Sequence, residues 1–114
     1  MKNRVSLYIP CFNAAQTIAS CLDAVLKQTY PLEEIIVVDD GSTDESGRIV
    51  SRYPVKLLSH KGNRGLACAR NTAIKNSNGD FIASVDADCC PRSNWLEHLL
   101  RRFDSAKIAG AGGR

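Results

Sequence analysis

Ile35-Ile36-Val37-Val38-Asp39-Asp40-Gly41-Ser42 is the stretch that decides the fold of this chain, because an apolar run ends there in two acids and a turn. The same pattern returns at Phe81-Ile82-Ala83-Ser84-Val85-Asp86-Ala87-Asp88. Short apolar runs bounded by turn residues are typical of buried strands, so each acidic pair is expected at the carboxyl end of a strand. In open α/β sheets the ligand crevice lies outside those ends. The two pairs together therefore predict one shared metal and nucleotide site.

Apolar runs alternate with helical patterns along the whole chain. The predicted strands are Val5–Ile9, Glu34–Val38, Val55–Leu58, Phe81–Val85 and Ile108–Ala111. The first predicted helix is about Ala14–Gln28, capped by Asn13, and the second is Ser42–Arg52, which begins with a capping box of Ser42 and Glu45. The third follows Gly65 and ends near Asn76. The fourth begins at Pro91 and Ser93. This alternation predicts an α/β fold with a mainly parallel, Rossmann-like sheet and helices on both faces.

The composition is that of one soluble globular domain, with 114 residues, 44% of them hydrophobic, and a net charge of +3. The small charge and the lack of an aromatic-basic repeat argue against nucleic acid as a partner. The sequence contains no apolar run long enough for a membrane span and no signal peptide, so we expect a cytoplasmic protein that meets the membrane face only through parts outside this chain. Its five cysteines form no C-x-x-C pair, which indicates reduced thiols.

The Asp86-Ala87-Asp88 segment has the spacing of a cation site. Residues i and i+2 of an extended backbone point to the same side, so both carboxylates can face one hard cation such as Mg²⁺ or Mn²⁺. Two alternatives stay open: the acids of either pair cap the helices that follow, or Cys89 and Cys90 act as ligands for a softer metal.

Four motifs in order resemble the family 2 glycosyltransferases. They are I-P-C-F-N at 9–13, V-V-D-D-G-S-T-D at 37–44, N-R-G-L-A-C-A-R-N at 63–71 and D-A-D at 86–88. The resemblance covers about Val5 to Trp95, the nucleotide-binding half of the family's GT-A fold. It implies an inverting transferase that uses a divalent metal to move a sugar from a nucleoside-diphosphate-sugar donor, with UDP favoured, to an acceptor hydroxyl of a glycan, lipid or protein.

The resemblance also implies roles for the acids. Asp88 matches the last position of the family's D-x-D motif and is the first choice as metal ligand, with Asp86 contacting the metal, its water or the ribose. Asp40 matches the position that accepts the uracil N3–H. Asp39 is expected to bond the ribose or to cap the second helix.

Other residues of these motifs complete the expected donor site. Pro10 and Phe12 are expected to line the base pocket, and Gly65 to let the amides at the start of the third helix face the nucleotide. Arg70 is expected to bind the diphosphate or orient the carboxylates, with a solvated helix arginine as the alternative. His60 and His98 have no acidic or cysteine partner at ligand spacing and are interpreted as structural or exposed.

A catalytic base is missing from this set. After Asp88 the acids are Glu97 and Asp104, neither in the family's acid-containing context. Residues 1–114 are therefore expected to form the donor-binding part of a GT-A domain that is incomplete at its carboxyl end and inactive alone. Its last strand, Ile108–Ala111, is expected to be an open edge that favours self-association. The alternative function is a non-catalytic nucleotide-binding module, since the acids of a phosphoacceptor receiver domain are not in place.

Overall fold

The structure is a computed structural model that describes residues 4–106, with side chains as far as Arg101. Four parallel strands form one sheet in the order β3-β2-β1-β4. The strands are β1 (Val5–Cys11), β2 (Glu34–Asp39), β3 (Lys56–Ser59) and β4 (Phe81–Ser84). The helices are α1 (Ile18–Leu26), α2 (Ser46–Val50), α3 (Leu66–Lys75) and α4 (Trp95–Ala106). The predicted parallel, Rossmann-like architecture is confirmed.

Helices cover both faces of the sheet. Leu7 and Ile9 of β1 pack on the side of α1 and α2, while Tyr8 between them packs against α3. Helix α1 contributes a buried face at the spacing of an amphipathic helix, formed by Ile18, Cys21, Leu22 and Val25. Helix α4 adds Leu96 and Leu100 against Val5 and Ala83 on the same side as α1.

The strand order creates a switch point between β1 and β4. The chain runs outward from β1 through β2 to β3 and then returns to the other side of β1 for β4. Parallel sheets of this kind bind ligands at the carboxyl ends of the strands beside such a point. Both acidic pairs follow strands at this edge, Asp40 after β2 and Asp86 after β4.

Two predicted helix starts are wrong. Helix α1 begins at Ile18 after a short turn, and α2 begins at Ser46 without a side-chain cap from Glu45. The Ser42 and Glu45 capping box does not form, because Ser42 Oγ accepts a hydrogen bond from the Asn13 amide at 2.9 Å. Asn13 caps no helix, because its Oδ1 accepts the Thr43 amide at 2.8 Å.

These side chains join the loop after β1 to the loop after β2. Asp44 extends the join, since its Oδ2 accepts the Ala15 amide at 3.1 Å while its Oδ1 accepts the Ser46 amide at 2.9 Å. Polar side chains that favour helix caps satisfy loop amides here instead. The two loops that border the candidate site are consequently fixed to each other.

The predicted fifth strand, Ile108–Ala111, and the self-association expected through it lie outside the described residues. Within residues 4–106, none of the helices combines the length and the apolar character that a membrane crossing requires.

Candidate nucleotide and metal site

A cleft of about 240 Å³ opens at the carboxyl end of β2, and we name it the β2 cleft. Its lining is Pro10, Cys11, Phe12, Asp40, Asn63, Gly65, Leu66 and Ala69. Four of these residues are predicted to bind substrate. Pro10 and Phe12 come from β1 and the loop after it, Asp40 follows β2, and Gly65 precedes α3. The sequence motifs that predict a base pocket therefore converge in one place.

Asp40 is the charged group of the β2 cleft and is only 5% exposed. Its Oδ1 accepts hydrogen bonds from the Arg64 amide at 2.9 Å and from His60 Nδ1 at 2.7 Å, and its Oδ2 accepts the Gly65 amide at 2.8 Å. Burial alone would raise the pKa of Asp40, but the bonds from His60 and the two amides outweigh it and hold that pKa below its ordinary value. Asp40 is thus a fixed carboxylate.

The Gly65 amide is used by this network, while the facing of the later amides of α3 towards a nucleotide stays a prediction. Gly65 instead contributes its backbone shape and its missing side chain. Its φ of +96° and ψ of 165° lie in a region that glycine alone adopts readily, and a Cβ there would meet nothing within 4 Å. The residue bends the chain into α3 and leaves the cleft open.

Asp39 lies outside the β2 cleft. Its Oδ1 accepts the Ser42 amide at 3.1 Å, and its Oδ2 lies 3.1 Å from the position that a Cβ on Gly47 would take. Successive residues of an extended strand point to opposite faces, which separates Asp39 from Asp40. The expected alternatives were ribose binding and helix capping, and the observed contact is with the loop that leads to α2.

A second cleft of about 340 Å³, the β4 cleft, adjoins the first. Its lining is Pro10, Phe12, Asn13, Ala14, Thr17, Leu66, Asp86, Ala87 and Asp88. Pro10, Phe12 and Leu66 line both clefts. A ligand that occupies both would pass along this shared wall.

Asp86 and Asp88 lie in a turn beyond β4 rather than on the strand. Strand β4 ends at Ser84, and the Cys89 amide donates to the Asp86 carbonyl at 3.0 Å. The turn still brings the carboxylates together, since one oxygen of each and Cys89 Sγ lie within 4.8 Å of one another. All three side chains are exposed.

This donor set fits a hard divalent cation. Mg²⁺ and Mn²⁺ prefer carboxylate oxygens, and the exposure of both acids leaves room for water and phosphate to complete the coordination. Partial desolvation and the neighbouring Asp88 and Asp86 raise the pKa of the Cys89 thiol, so the thiol is protonated when no cation is bound. Cys90 is not a member of the cluster.

Cys21 of α1 lies beneath this turn. Its thiol donates to the Asp86 carbonyl at 3.5 Å, and burial raises its pKa to about 12. Cys21 therefore acts as a neutral core residue. All five cysteines are free.

Arg70 projects from α3 and is exposed. Among the described residues it forms no ion pair with an acid, so its guanidinium is available to a ligand. Burial raises the pKa of Tyr8, and the charges of Arg70, Asp86 and Asp40 also act on that phenol. Arg70 therefore shares one electrostatic neighbourhood with both acidic segments, although it lines neither cleft.

Sequence reasoning missed three residues of the site. Leu66 is 74% exposed and stands in the shared wall, and Asn63 lines the β2 cleft. His60 has no acidic partner at ligand spacing along the chain and is interpreted as structural or exposed, but the fold brings it within hydrogen-bond distance of Asp40. The parallel register pairs Asp39 with Ser59, so it places residues 40 and 60 side by side, a signal that spacing along the chain does not carry.

Comparison with known proteins identifies the family. The model of Glycosyl transferase family 2 matches residues 6–114. The chain belongs to this family. Glycosyltransferase AglE of Haloferax volcanii is 36% identical over 116 residues, which cover 96% of this chain and 38% of AglE. WfgD of Escherichia coli, a UDP-Glc:alpha-D-GlcNAc-diphosphoundecaprenol beta-1,3-glucosyltransferase, is 42% identical over 82% of this chain and 38% of its own length.

Solved structures of glycosyltransferases have the same fold. The mannosyltransferase PcManGT from Pyrobaculum calidifontis, in complex with GDP-Man and Mn²⁺, matches 95% of this chain with a TM-score of 0.87 and 30% identity. TarS of S. aureus in complex with UDP matches 89% with a TM-score of 0.79 and 30% identity. The matched regions are 34% of PcManGT and 32% of TarS, so the chain spans about a third of these relatives.

Proposed function

We propose that residues 1–114 form the nucleotide-diphospho-sugar-binding part of an inverting GT-A glycosyltransferase, which transfers a sugar from a UDP-sugar to an acceptor hydroxyl. The observation that carries the proposal is the shared wall of the two clefts. A buried carboxylate lies on one side of Pro10, Phe12 and Leu66, and an exposed carboxylate pair lies on the other. This arrangement suits a ligand with a neutral base at one end and an anionic diphosphate at the other.

The β2 cleft suits the base. Asp40 is an acceptor without a proton to give, and uracil offers an N3–H donor. Phe12, 48% exposed at the cleft, offers an aromatic face for the ring. The relatives differ in nucleotide, with UDP on TarS and GDP-Man on PcManGT, so the preference of this chain has to come from its own cleft.

The β4 cleft suits the diphosphate. Asp88, assisted by Asp86, would hold Mg²⁺ or Mn²⁺, which supplies positive charge to offset the negative charge that develops on the departing nucleoside diphosphate. Arg70 would add a second positive group from α3, and its planar guanidinium matches phosphate oxygens. Together they favour departure of the diphosphate without a proton transfer to it.

Inverting transfer also requires a base for the acceptor. The acceptor oxygen bonds to the anomeric carbon as the bond to the diphosphate breaks, and the hydroxyl proton has to leave. Glu97 does not fit this role, because its carboxylate accepts the Thr29 hydroxyl at 2.8 Å and lies 3.5 Å from Arg101. We propose that the base belongs to residues other than those of the two clefts, and that the chain alone transfers no sugar.

The engagement of Glu97 favours one alternative, a nucleotide-binding module without catalysis. Transfer of sugar from UDP-sugar to any acceptor by the purified chain would contradict this alternative and the inactivity proposed for the isolated chain. We also place the protein in the cytoplasm, and its five free thiols support a reducing compartment.

Calorimetric titration with UDP, GDP and dTDP, each with and without Mn²⁺, tests the proposal. We expect UDP to bind and Mn²⁺ to strengthen its binding about tenfold or more, equivalent to about 1.4 kcal/mol. Asp88→Asn should remove this strengthening, because an amide lacks the charge of the carboxylate. Glu33→Gln is the matched control, since Glu33 is an exposed acid next to β2 at the opposite edge of the sheet. Chelation that leaves the UDP affinity unchanged would refute the metal role.

A further inference from the structure

Asp40 has one acceptor position left for a ligand. A carboxylate offers about four lone-pair positions, two on each oxygen. Among the residues that the structure describes, Oδ1 accepts His60 Nδ1 and the Arg64 amide, whereas Oδ2 accepts only the Gly65 amide. The open position is thus on Oδ2, and Asp40 lines the β2 cleft.

His60 is fixed at both of its ring nitrogens. Its Nδ1 donates to Asp40, because an ionised carboxylate accepts hydrogen bonds and donates none. Its Nε2 lies 2.8 Å from Thr72 Oγ1 of α3, a group that either donates or accepts. The imidazole is 9% exposed. A flip of the ring would replace both hydrogen bonds with contacts to carbon, so the orientation of His60 is set from two sides.

The same network ties three elements together. His60 follows β3, its amide donates to the Asp39 carbonyl at 2.9 Å, and Thr72 lies inside α3. Together with the Arg64 and Gly65 amides, the anchored imidazole therefore sets which way the Asp40 carboxylate faces relative to the start of α3.

We propose that His60 is a positioning residue for selection of the pyrimidine base. Its Nδ1–H occupies Oδ1 of Asp40, so that Oδ2 is the oxygen that accepts a hydrogen bond from the base. This inference rests on the proposed function. Uracil presents N3–H to that oxygen, whereas cytosine presents a lone pair at N3 and is repelled. Without the imidazole, Oδ1 keeps only the Arg64 amide, so the carboxylate is held less firmly and takes up a proton more readily. A protonated Asp40 would donate to cytosine N3. His60 thus preserves the preference for UDP over CDP.

Competing titrations of the 114-residue chain with UDP and CDP in the presence of Mn²⁺ test this inference. His60→Phe keeps the ring volume but removes both nitrogens, and we expect it to lower the ratio of UDP to CDP affinity about tenfold. His60→Asn places a side-chain N–H near the position of Nδ1 and should stay within about threefold of the wild-type ratio. Thr72→Val removes only the anchoring hydroxyl and should lower the ratio by about threefold.

The second histidine provides the control. His98 is exposed and contacts Asn94 on the far side of α4, so His98→Phe should leave the ratio unchanged. Equal loss of UDP and CDP affinity in His60→Phe would show a merely structural role and overturn the inference. If that variant does not fold, an unchanged ratio in Thr72→Val overturns it. A wild-type chain that binds UDP and CDP equally would instead refute the proposed reading of the base by Asp40.

Discussion

The acids after β2 and the acids after β4 occupy the same edge of one sheet but opposite physical environments. Asp39 and Asp40 are 8% and 5% exposed and accept hydrogen bonds from loop amides and His60. Asp86 and Asp88 are exposed, and within the part of the chain that the structure describes they form no ion pair with a basic side chain. A buried anion requires protein donors, whereas neighbouring exposed anions favour a cation. In the proposed function this difference gives Asp40 the recognition of the base, and gives Asp86 with Asp88 the binding of the cation.

Removing the Asp40 side chain should cause the largest loss of folding stability. Asp40→Ala leaves the His60 imidazole and two part-buried amides without their acceptor, so we expect the free energy of unfolding to fall by about 3 kcal/mol. Urea denaturation followed by circular dichroism measures this loss. Asp40→Asn should cost less, because an amide oxygen can still accept hydrogen bonds. A loss below about 1 kcal/mol in Asp40→Ala would mean that the loops do not depend on the carboxylate.

Gly41 tests whether the loop around the buried pair is as tightly fitted as its hydrogen bonds suggest. Its φ is +79°, and a Cβ would lie 2.5 Å from the Gly62 carbonyl carbon and 2.7 Å from the Asn63 amide nitrogen. Gly41→Ala should therefore cost about 2–3 kcal/mol of stability and displace the segment that carries the Arg64 and Gly65 amides. Gly62→Ala is the control, since its Cβ would meet nothing within 4 Å. Equal melting temperatures for the two variants would contradict this account.

Acid should destabilise the protein through the buried pair. In the folded protein the pKa of Asp40 lies below its ordinary value of about 3.9. The contribution of Asp40 to the free energy of unfolding is therefore complete above about pH 4 and is lost as the pH falls through the lower, folded-state pKa. We expect constant stability from pH 7 to about pH 5 and a decline below about pH 4. Glu34, Asp44 and Asp80 also have lowered pKa values and share this decline. Asp40→Asn should show a shallower decline in thermal melts, and an unchanged slope would contradict the role of Asp40.

The sequence predicts the fold well because burial in a parallel sheet requires continuous apolar runs. The run Ile35–Val38 and its counterpart in β4 need no tertiary information to be identified as strands. The start of α2 was missed for the opposite reason. Ser42 has the local pattern of a helix cap, but its hydroxyl binds the Asn13 amide, which is distant in sequence.

The same distinction separates the predicted and the missed parts of the site. The apolar runs alone are enough to predict the place of Asp40, Asp86 and Asp88, because each acid comes shortly after the end of such a run. His60 and Leu66 depend on what the fold brings beside them, namely the register between β2 and β3 and the wall shared by the two clefts. Spacing along the chain carries neither relation.

The smallest expected effect concerns the exposed pair. The turn that holds Asp86 and Asp88 is fixed by backbone groups, since the Asp86 carbonyl accepts the Cys89 amide and the Cys21 thiol. Two carboxylates with oxygens within 4.8 Å repel each other by about 1 kcal/mol in water, less in salt. Asp86→Asn with Asp88→Asn should therefore leave the metal-free stability within about 0.5 kcal/mol of the wild type or raise it slightly.

Mn²⁺ should produce a difference in melting temperature between the wild type and the double variant, which differ little in its absence. A cation that binds only the folded state stabilises it by an amount that grows with the logarithm of the cation concentration above Kd, so the melting temperature of the wild type should rise with increasing Mn²⁺. The double variant should not, because it keeps the turn but lacks the charges. Two results would contradict this contrast between the acidic pairs. A large loss of metal-free stability in the double variant would make these acids structural, like Asp40. An equal response of both proteins to Mn²⁺ would place the cation elsewhere.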